Sequence, residues 1–260
     1  MEIHACDENG PVITGVDDWL QLAPPAGRAR QWQDFRSAKE LASEWFRSGH
    51  AQAPEELLAL LSGSRATAGF AVDRAVAEMK IPLDGFAGNT RNSDLVAFGN
   101  SKAGAVVAAV EAKADEPFGQ RSIGEELDAC RNPRSNLPAR IAQLSQAVFG
   151  RAVDAAIRPL RYQLLHALAA TAIVASEYQA KVGVLVIHEF ISLGLDFDRV
   201  VENANDLQAF VAAVPGWEQA EYKTGRLLPP IMLTGGGLVP ANQAVTIGKI
   251  RTLLPPRGAT

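Results

Sequence analysis

A chain of 260 residues with 47% hydrophobic and 21% charged side chains can bury a sizeable core, and this composition excludes a largely disordered protein. The formal net charge of −4 excludes a general electrostatic attraction to nucleic acid, so any basic surface must be local. The two cysteines, Cys6 and Cys130, provide neither a disulfide framework nor a zinc motif. No apolar run reaches the roughly 18 residues of a membrane span, and the N-terminus lacks a signal-peptide pattern. We therefore expect a cytoplasmic protein without a membrane partner.

The first part of the chain predicts two helices after an irregular lead-in. Residues 1–30 combine Gly, Pro and Asp with scattered apolar side chains, which is typical of irregular structure. Residues 34–47 place their apolar side chains on one helical face, with Asp34 as the candidate N-cap. A second helix is expected between Pro54 and Gly63, because proline favours helix starts and glycine favours helix ends.

The middle of the chain predicts strands. One strand is expected within residues 70–82, followed by turn chemistry at residues 85–92. Residues 93–99 and 105–114 read as the two strands of a hairpin that turns at residues 100–104. The run AVVAAV in the second strand is apolar on both faces, as in a strand deep inside a sheet.

The remaining elements are predicted to be mainly helical, with one clear strand. No internal repeat and no long polar linker divides the chain, so we expect a single α/β domain spanning residues 1–260. The predicted elements are a helix at 122–130, further helical pieces up to 156, a long helix at 160–179, a strand at 181–190, a helix at 206–214 and two candidate edge strands within 222–254.

Three charged residues of the predicted hairpin form the candidate site. Glu111 and Lys113 are two positions apart in a strand and project from the same face, whereas Val110 and Ala112 face the other side. Burying these charges is costly unless they pair or bind an ion. Asp94 begins the preceding strand, so hairpin geometry brings it close to Glu111. Two adjacent carboxylates suit Mg²⁺ or Mn²⁺, and a neighbouring lysine can hold a water or help to deprotonate it.

These residues carry a resemblance to a known family. Asp94 in NSDLVAF and Glu111-Ala112-Lys113 in VVAAVEAKADEPFG resemble the motif of the PD-(D/E)XK nuclease superfamily, which includes the restriction endonucleases. The resemblance implies a restriction-endonuclease-like α/β core at about residues 34–190, an α-β-β-β-α-β mixed sheet flanked by helices. N- and C-terminal elaborations would surround it, the latter at about 191–260. No proline precedes Asp94, and the stretch between Lys113 and the long helix is longer than a minimal core needs.

The resemblance also implies roles for individual residues. Asp94 and Glu111 would bind Mg²⁺ or Mn²⁺, with the carbonyl of Ala112 as a further ligand. Lys113 would position the attacking water, and Gln163 is the candidate catalytic residue on the helix after the motif. The implied partner is nucleic acid, with DNA favoured over RNA, and a homodimer is also considered.

Other polar residues are weighed against structural roles. Glu40 and Glu44 lie one helical turn apart and can assist metal binding, but a solvated helix face is favoured. His166 shares a helix face with Gln163 and is more readily explained as a packing histidine. His188 and Glu189, which end a predicted core strand, are also assigned structural roles.

An arginine-rich stretch offers a local basic surface. Between residues 131 and 163 the chain carries six arginines and a single acid, Asp154. If these arginines face one way, they supply a surface that tracks phosphates; otherwise they form an ordinary solvated helix surface.

Three functions remain open from the sequence. The first is a metal-dependent nuclease, in which Asp94, Glu111 and Lys113 hydrolyse phosphodiester bonds. The second is a nucleic-acid-binding or structural protein on the same fold with weak or lost catalysis. The third is an α/β enzyme that applies the same metal chemistry to a smaller phosphorylated substrate.

Overall fold

The computed structural model describes residues 1–86, 90–192 and 197–255 of the chain. Within these residues, eight strands form one sheet in the order β2-β1-β3-β4-β5-β6-β8-β7. The strands are Glu2–Ala5 (β1), Val12–Ile13 (β2), Ala71–Pro82 (β3), Thr90–Ser101 (β4), Gly104–Lys113 (β5), Val182–Ile191 (β6), Ile231–Met232 (β7) and Ala244–Leu253 (β8).

The sheet is mixed. Strand β4 runs antiparallel to both β3 and β5, whereas β5, β6 and β8 run parallel to one another. Antiparallel strands can be joined by a tight hairpin, as β4 and β5 are, but parallel strands require a crossover connection. The crossover from β5 to β6 contains three helices and brings the last of them across the sheet.

Helices cover both faces of this sheet and create two apolar cores. One core contains Ile141, Leu164 and Phe210 and lies between the sheet and the helices that follow β5. The other contains Trp19 and Leu41 and lies beneath the helices that precede β3. The helices are Val16–Leu22 (α1), Ser37–Trp45 (α2), Glu55–Ser62 (α3), Ile123–Ala129 (α4), Leu137–Phe149 (α5), Tyr162–Glu177 (α6) and Phe197–Ala213 (α7).

Many predicted elements are confirmed with small changes of boundary. The helix between Pro54 and Gly63 is α3, and the long helix at 160–179 is α6. The helix at 122–130 is α4, where Ser122 and Glu125 form a reciprocal capping box. The strands predicted at 70–82, 93–99, 105–114 and 181–190 are β3, β4, β5 and β6. The α/β class with a mixed, helix-flanked sheet is therefore observed.

The N-terminal prediction is wrong. Residues 1–30 are not an irregular lead-in, because they contain β1, β2 and α1, and β1 pairs in parallel with β3. Elements of two to seven residues are too short to give a clear sequence period. Asp34 does not cap α2, whose N-cap is Arg36. Asp34 instead accepts a hydrogen bond from Lys39 Nζ at 2.6 Å.

Three further predictions need correction. The turn at 85–92 ends earlier than expected, because β4 begins at Thr90; residues 87–89 of that turn lie outside the described residues. The helix predicted at 206–214 begins at Phe197. Of the two candidate edge strands, β7 lies at the edge, but β8 is an interior strand between β6 and β7.

The long helix α6 is buried because it is covered on two sides. Its side chains pack against the sheet on one side and against α5 on another, which explains why apolar residues continue almost around its circumference. None of the helices in the described part of the chain combines the length and the apolar character that a bilayer span requires.

Candidate functional site

The β4–β5 hairpin opens at its end, and Asp94 lies at the opening. The strands pair regularly from Ser101 and Gly104 as far as Leu95 and Val110. Beyond that pair, the amide N–H of Ala112 donates to Asp94 Oδ2 at 2.8 Å instead of to a backbone carbonyl. The side chain of Asp94 therefore replaces the next link between the strands, beside Glu111, as hairpin geometry predicts.

Glu111 is buried at the centre of a hydrogen-bond network. Its Oε1 accepts from Lys113 Nζ at 2.8 Å and from Gln163 Nε2 at 2.5 Å, and its Oε2 accepts from Arg91. Burial opposes the charge of Glu111, but the cations of Lys113 and Arg91 outweigh it and hold the pKa at about 2. Glu111 is therefore a carboxylate at any physiological pH.

Lys113 is buried and charged. Burial would lower its pKa, yet the carboxylates of Glu111 and Asp94 raise the pKa above the usual lysine value. Its ammonium group donates to Glu111 Oε1 and, at 3.1 Å, to the carbonyl oxygen of Ala112. Because an ammonium group has three N–H donors, one remains for a ligand. Lys113 can thus hold a water but is not free to take its proton.

Arg91 is a member of this network that the sequence prediction missed. It donates to Glu111 on one side and contacts His166 Nδ1 on α6 on the other, and its side chain is only 4% exposed. Burial, and then the charge of Arg91, lowers the pKa of His166 well below its usual value. His166 is therefore neutral and accepts a hydrogen bond from Arg91. The packing role expected for His166 is in fact support for the network behind Glu111.

Glu78 on β3 is a second residue that the prediction missed. The ladder pairs Ala77 with Leu95 and Met79 with Ser93, which leaves Glu78 opposite Asp94. Glu78 has a left-handed backbone with φ +50°, and strand alternation changes there, since Ala77 and Met79 pack in different cores. Such local irregularities in strands often re-aim a side chain beside a functional site. A lone acid within the apolar run AVAEM was the available sequence signal.

The carboxyl groups of Glu78 and Asp94 both have raised pKa values in this position. Burial, together with the charge of Asp94, raises the pKa of Glu78 to about 8. Burial, together with the charge of Glu111, raises the pKa of Asp94 to about 7. Glu78 also accepts a hydrogen bond from Asn92 Nδ2 at 3.3 Å. Three carboxyl groups thus meet only two buried cations, Arg91 and Lys113, so the site favours additional positive charge.

A cleft of about 530 Å³ opens onto these side chains. Trp19 on α1 and Leu41 on α2 contribute one wall, and the segment from Glu116 to Gln120 contributes another. Asp94, Glu111, Lys113 and Gln163 all line the cleft, so the structure brings the four predicted site residues together. Among the residues that the structure describes, however, no set of three or more His, Cys, Asp or Glu side chains stands ready to hold a metal ion.

Glu40 and Glu44 on α2 lie away from this cleft. Glu40 accepts a hydrogen bond from the backbone N–H of Phe35 at 2.6 Å. Glu44 pairs with Arg47 and lines a separate cleft of about 330 Å³. Neither residue lines the cleft of Asp94. The solvated helix face expected for this pair is wrong for Glu44, whose side chain is only 6% exposed.

His188 and Glu189 are engaged with the end of β8. His188 Nε2 bonds Thr252 Oγ1 at 2.9 Å, and its ring stacks on Phe190. Glu189 pairs with Lys249 at 3.3 Å and with Arg251 at 2.9 Å. These contacts agree with the structural roles expected for both residues.

The arginine-rich stretch does not form a free basic surface. Arg140 pairs with Asp84 inside the protein, and Arg161 bonds both Glu202 and Asp206 on α7. The acids that neutralise these arginines come from distant parts of the chain, so the local surplus in sequence is misleading. Arg151 pairs with Asp154 and Arg158 with Asp128, whereas Arg131 and Arg134 are exposed.

The fold and the cleft define an α/β protein with a mixed eight-stranded sheet and a buried, charge-rich site at the open end of one hairpin. Residues 12–241 match the model of the family described as a domain of unknown function, DUF6946. The match covers most of the chain, which therefore belongs to this family. Comparisons with curated proteins and with solved structures give no match.

Proposed function

We propose that this chain is a metal-dependent nuclease with a restriction-endonuclease-like core. Asp94 and Glu111 bind Mg²⁺ or Mn²⁺, and Lys113 positions the attacking water. The observation that carries this proposal is the convergence of Asp94, Glu111 and Lys113 in one cleft, although Asp94 lies on a different strand. The order of α2, β3, β4, β5, α6 and β6 supports this proposal, although α3 lies between α2 and β3, and α4 and α5 lie between β5 and α6.

The donor atoms of the site fit a hard divalent cation. Asp94 and Glu111 offer carboxylate oxygens, and the carbonyl of Ala112 is a third oxygen donor on the same strand end. Gln163 Oε1 is a buried acceptor without a hydrogen-bond partner, so the site has unused capacity for a bound water or ligand. The carboxyl groups of Glu78 and Asp94, raised in pKa by burial and by their negative neighbours, are those that a cation would stabilise in the charged form.

In the proposed hydrolysis, each side chain of this cleft has a separate role. The bound cation supplies polarisation of the phosphate and neutralises the charge that develops on it. Lys113 is fixed by Glu111 and Ala112, and its remaining N–H orients the attacking water. Gln163 and Arg91 fix the carboxylate of Glu111 from two other directions, which holds Lys113 in place.

A cleavage assay with a matched lysine control tests this proposal. Single- and double-stranded DNA and RNA are incubated with the full chain and Mg²⁺ or Mn²⁺, and with the variants Lys113→Ala and Lys249→Ala. Lys249 is a buried lysine on β8 that pairs with Glu189 outside the cleft. We expect cation-dependent cleavage that falls by about 100-fold or more in Lys113→Ala only, because the attacking water is no longer positioned. Cleavage that survives Lys113→Ala contradicts the mechanism.

A second function is supported by the hydrogen bonds of Glu111, because both of its carboxylate oxygens already have donors. Because Arg91, Lys113 and Gln163 occupy both of its oxygens, a cation must compete with these donors. The alternative is therefore a catalytically weak or inactive nucleic-acid-binding or structural protein on the same fold. Binding of nucleic acid by the wild-type chain without cleavage in any cation favours this alternative.

A further inference from the structure

The dimensions of the cleft limit what can enter it. Its volume of about 530 Å³ falls within the range of small-molecule sites, which is roughly 300–1,000 Å³. Asp94 and Lys113 line this space, so the reacting group must reach them within it.

The charge of the cleft also points to a ligand with few phosphates. Lys113 is the one cationic side chain among the described lining residues, whereas Glu78, Asp94, Glu111 and Glu116 are acids. A protein that follows a nucleic-acid backbone presents several cations, each of which neutralises a phosphate. Four of the arginines between residues 131 and 163 are instead neutralised by acids of the same chain.

The polar lining suits the neutral parts of a nucleotide. Side-chain amides of Gln31, Asn92, Gln120 and Gln163 line the cleft. Gln163 Oε1 has no partner and can accept from a sugar hydroxyl or a base amino group. Gly119, with φ +70°, passes beside this amide, and a Cβ there would stand 3.5 Å from Gln163 Cβ and 3.9 Å from Oε1. Because Gly119 has no side chain, nothing at this position adds to the cover over the Gln163 amide.

We propose that the substrate of this site is a single phosphodiester carried by one or two nucleosides, presented either as a free dinucleotide or as the end of a single strand, and not as a duplex. This inference rests on the proposed function. Water contributes the oxygen that forms the new P–O bond, and the P–O bond to the leaving nucleoside breaks. The attacking water gives up one proton and the leaving oxygen takes one up, so the products are a nucleoside monophosphate and a free hydroxyl group, with no change of oxidation state.

Substrates of matched sequence and different form provide the test. A DNA dinucleotide, a labelled single strand and the corresponding blunt duplex are each supplied to the full chain with Mn²⁺ at several salt concentrations. We expect kcat/KM for the dinucleotide and for the strand end to exceed that for the duplex by about tenfold or more. The logarithm of kcat/KM should fall with log salt with a slope near −1, since each neutralised phosphate contributes about −0.7 to −0.9. Preference for the duplex, or a slope of several units, overturns the inference.

A binding measurement tests the substrate class independently of the proposed nuclease activity. Fluorescence anisotropy with labelled dinucleotide and labelled duplex measures size preference in the absence of cleavage. Tighter binding of the dinucleotide without hydrolysis supports the substrate class and contradicts the nuclease. Cleavage confined to the duplex, or tighter binding of the duplex, contradicts the substrate class.

A glutamine variant tests the contact itself. Gln120→Ala removes an exposed amide of the cleft, and we expect a several-fold higher KM for the dinucleotide with kcat unchanged. Gln146→Ala on α5 is the matched control, because Gln146 is also exposed and does not line the cleft. Equal KM values for Gln120→Ala, Gln146→Ala and the wild-type chain contradict a nucleotide in this cleft.

Discussion

Substitution of Arg91 by glutamine measures the strength of the network behind the site. The side chains of Arg91 and Glu111 are only 4% and 1% exposed, so neither regains water when its partner is removed. Breaking a buried pair by removing one partner costs about 3–5 kcal/mol. Lys113 and Gln163 still hold Glu111 in the variant, which places the expected loss at the lower end, about 3 kcal/mol. For a chain of this length the melting temperature should fall by about 6–12 °C.

Urea denaturation followed by tryptophan fluorescence, at pH 7 without divalent cations, gives the free energy of unfolding. Arg158→Gln is the matched control, because Arg158 pairs with Asp128 on the surface, where the side chains are 43% and 70% exposed. Exposed pairs of this kind contribute about 0–1 kcal/mol. A loss in Arg91→Gln that equals the loss in Arg158→Gln refutes the buried network.

Two further predictions concern the charge of the cleft. Asp94→Asn removes the negative charge opposite Glu78, so the pKa of Glu78 should fall below about 8, as measured by carboxyl NMR titration; an unchanged value contradicts the coupling. In the wild-type chain, Asp94 holds a proton below about pH 7 and Glu78 below about pH 8, and a cation must displace these protons. Mn²⁺ affinity should therefore rise as the pH increases from 6 to 8.5, with proton release that calorimetry in two buffers detects, and an affinity independent of pH contradicts it.

The sequence was informative where a regular strand carries the residues. Glu111 and Lys113 alternate with apolar neighbours in an uninterrupted strand, so their common face followed from the two-residue period alone. Asp94 followed from hairpin geometry, because the start of β4 must lie beside the end of β5. Gln163 was found from its place on the helix after the motif.

The residues that were missed depend on features without a sequence period. Glu78 enters the site through a left-handed backbone in the middle of β3, which alternation does not predict. Arg91 lies in a stretch rich in Gly, Asn and Thr that indicates a turn, whereas β4 already begins at Thr90. Arg140 and Arg161 are neutralised by acids far away in the chain, Asp84 and Asp206. Such pairing is visible only in the folded protein.

The central claim is that Asp94 binds a divalent cation, and titration of Mn²⁺ into the full chain at pH 8.5 tests it most directly. Asp94→Asn removes the charge but keeps an oxygen that can accept from Ala112 N, so the hairpin should remain intact. Asp128→Asn, at an exposed surface pair, is the control. We expect one Mn²⁺ per chain in the wild type and in Asp128→Asn, and binding weaker by about tenfold or more in Asp94→Asn, a loss of about 1.4 kcal/mol. No binding by the wild-type chain, or equal binding by Asp94→Asn, contradicts a metal site at Asp94.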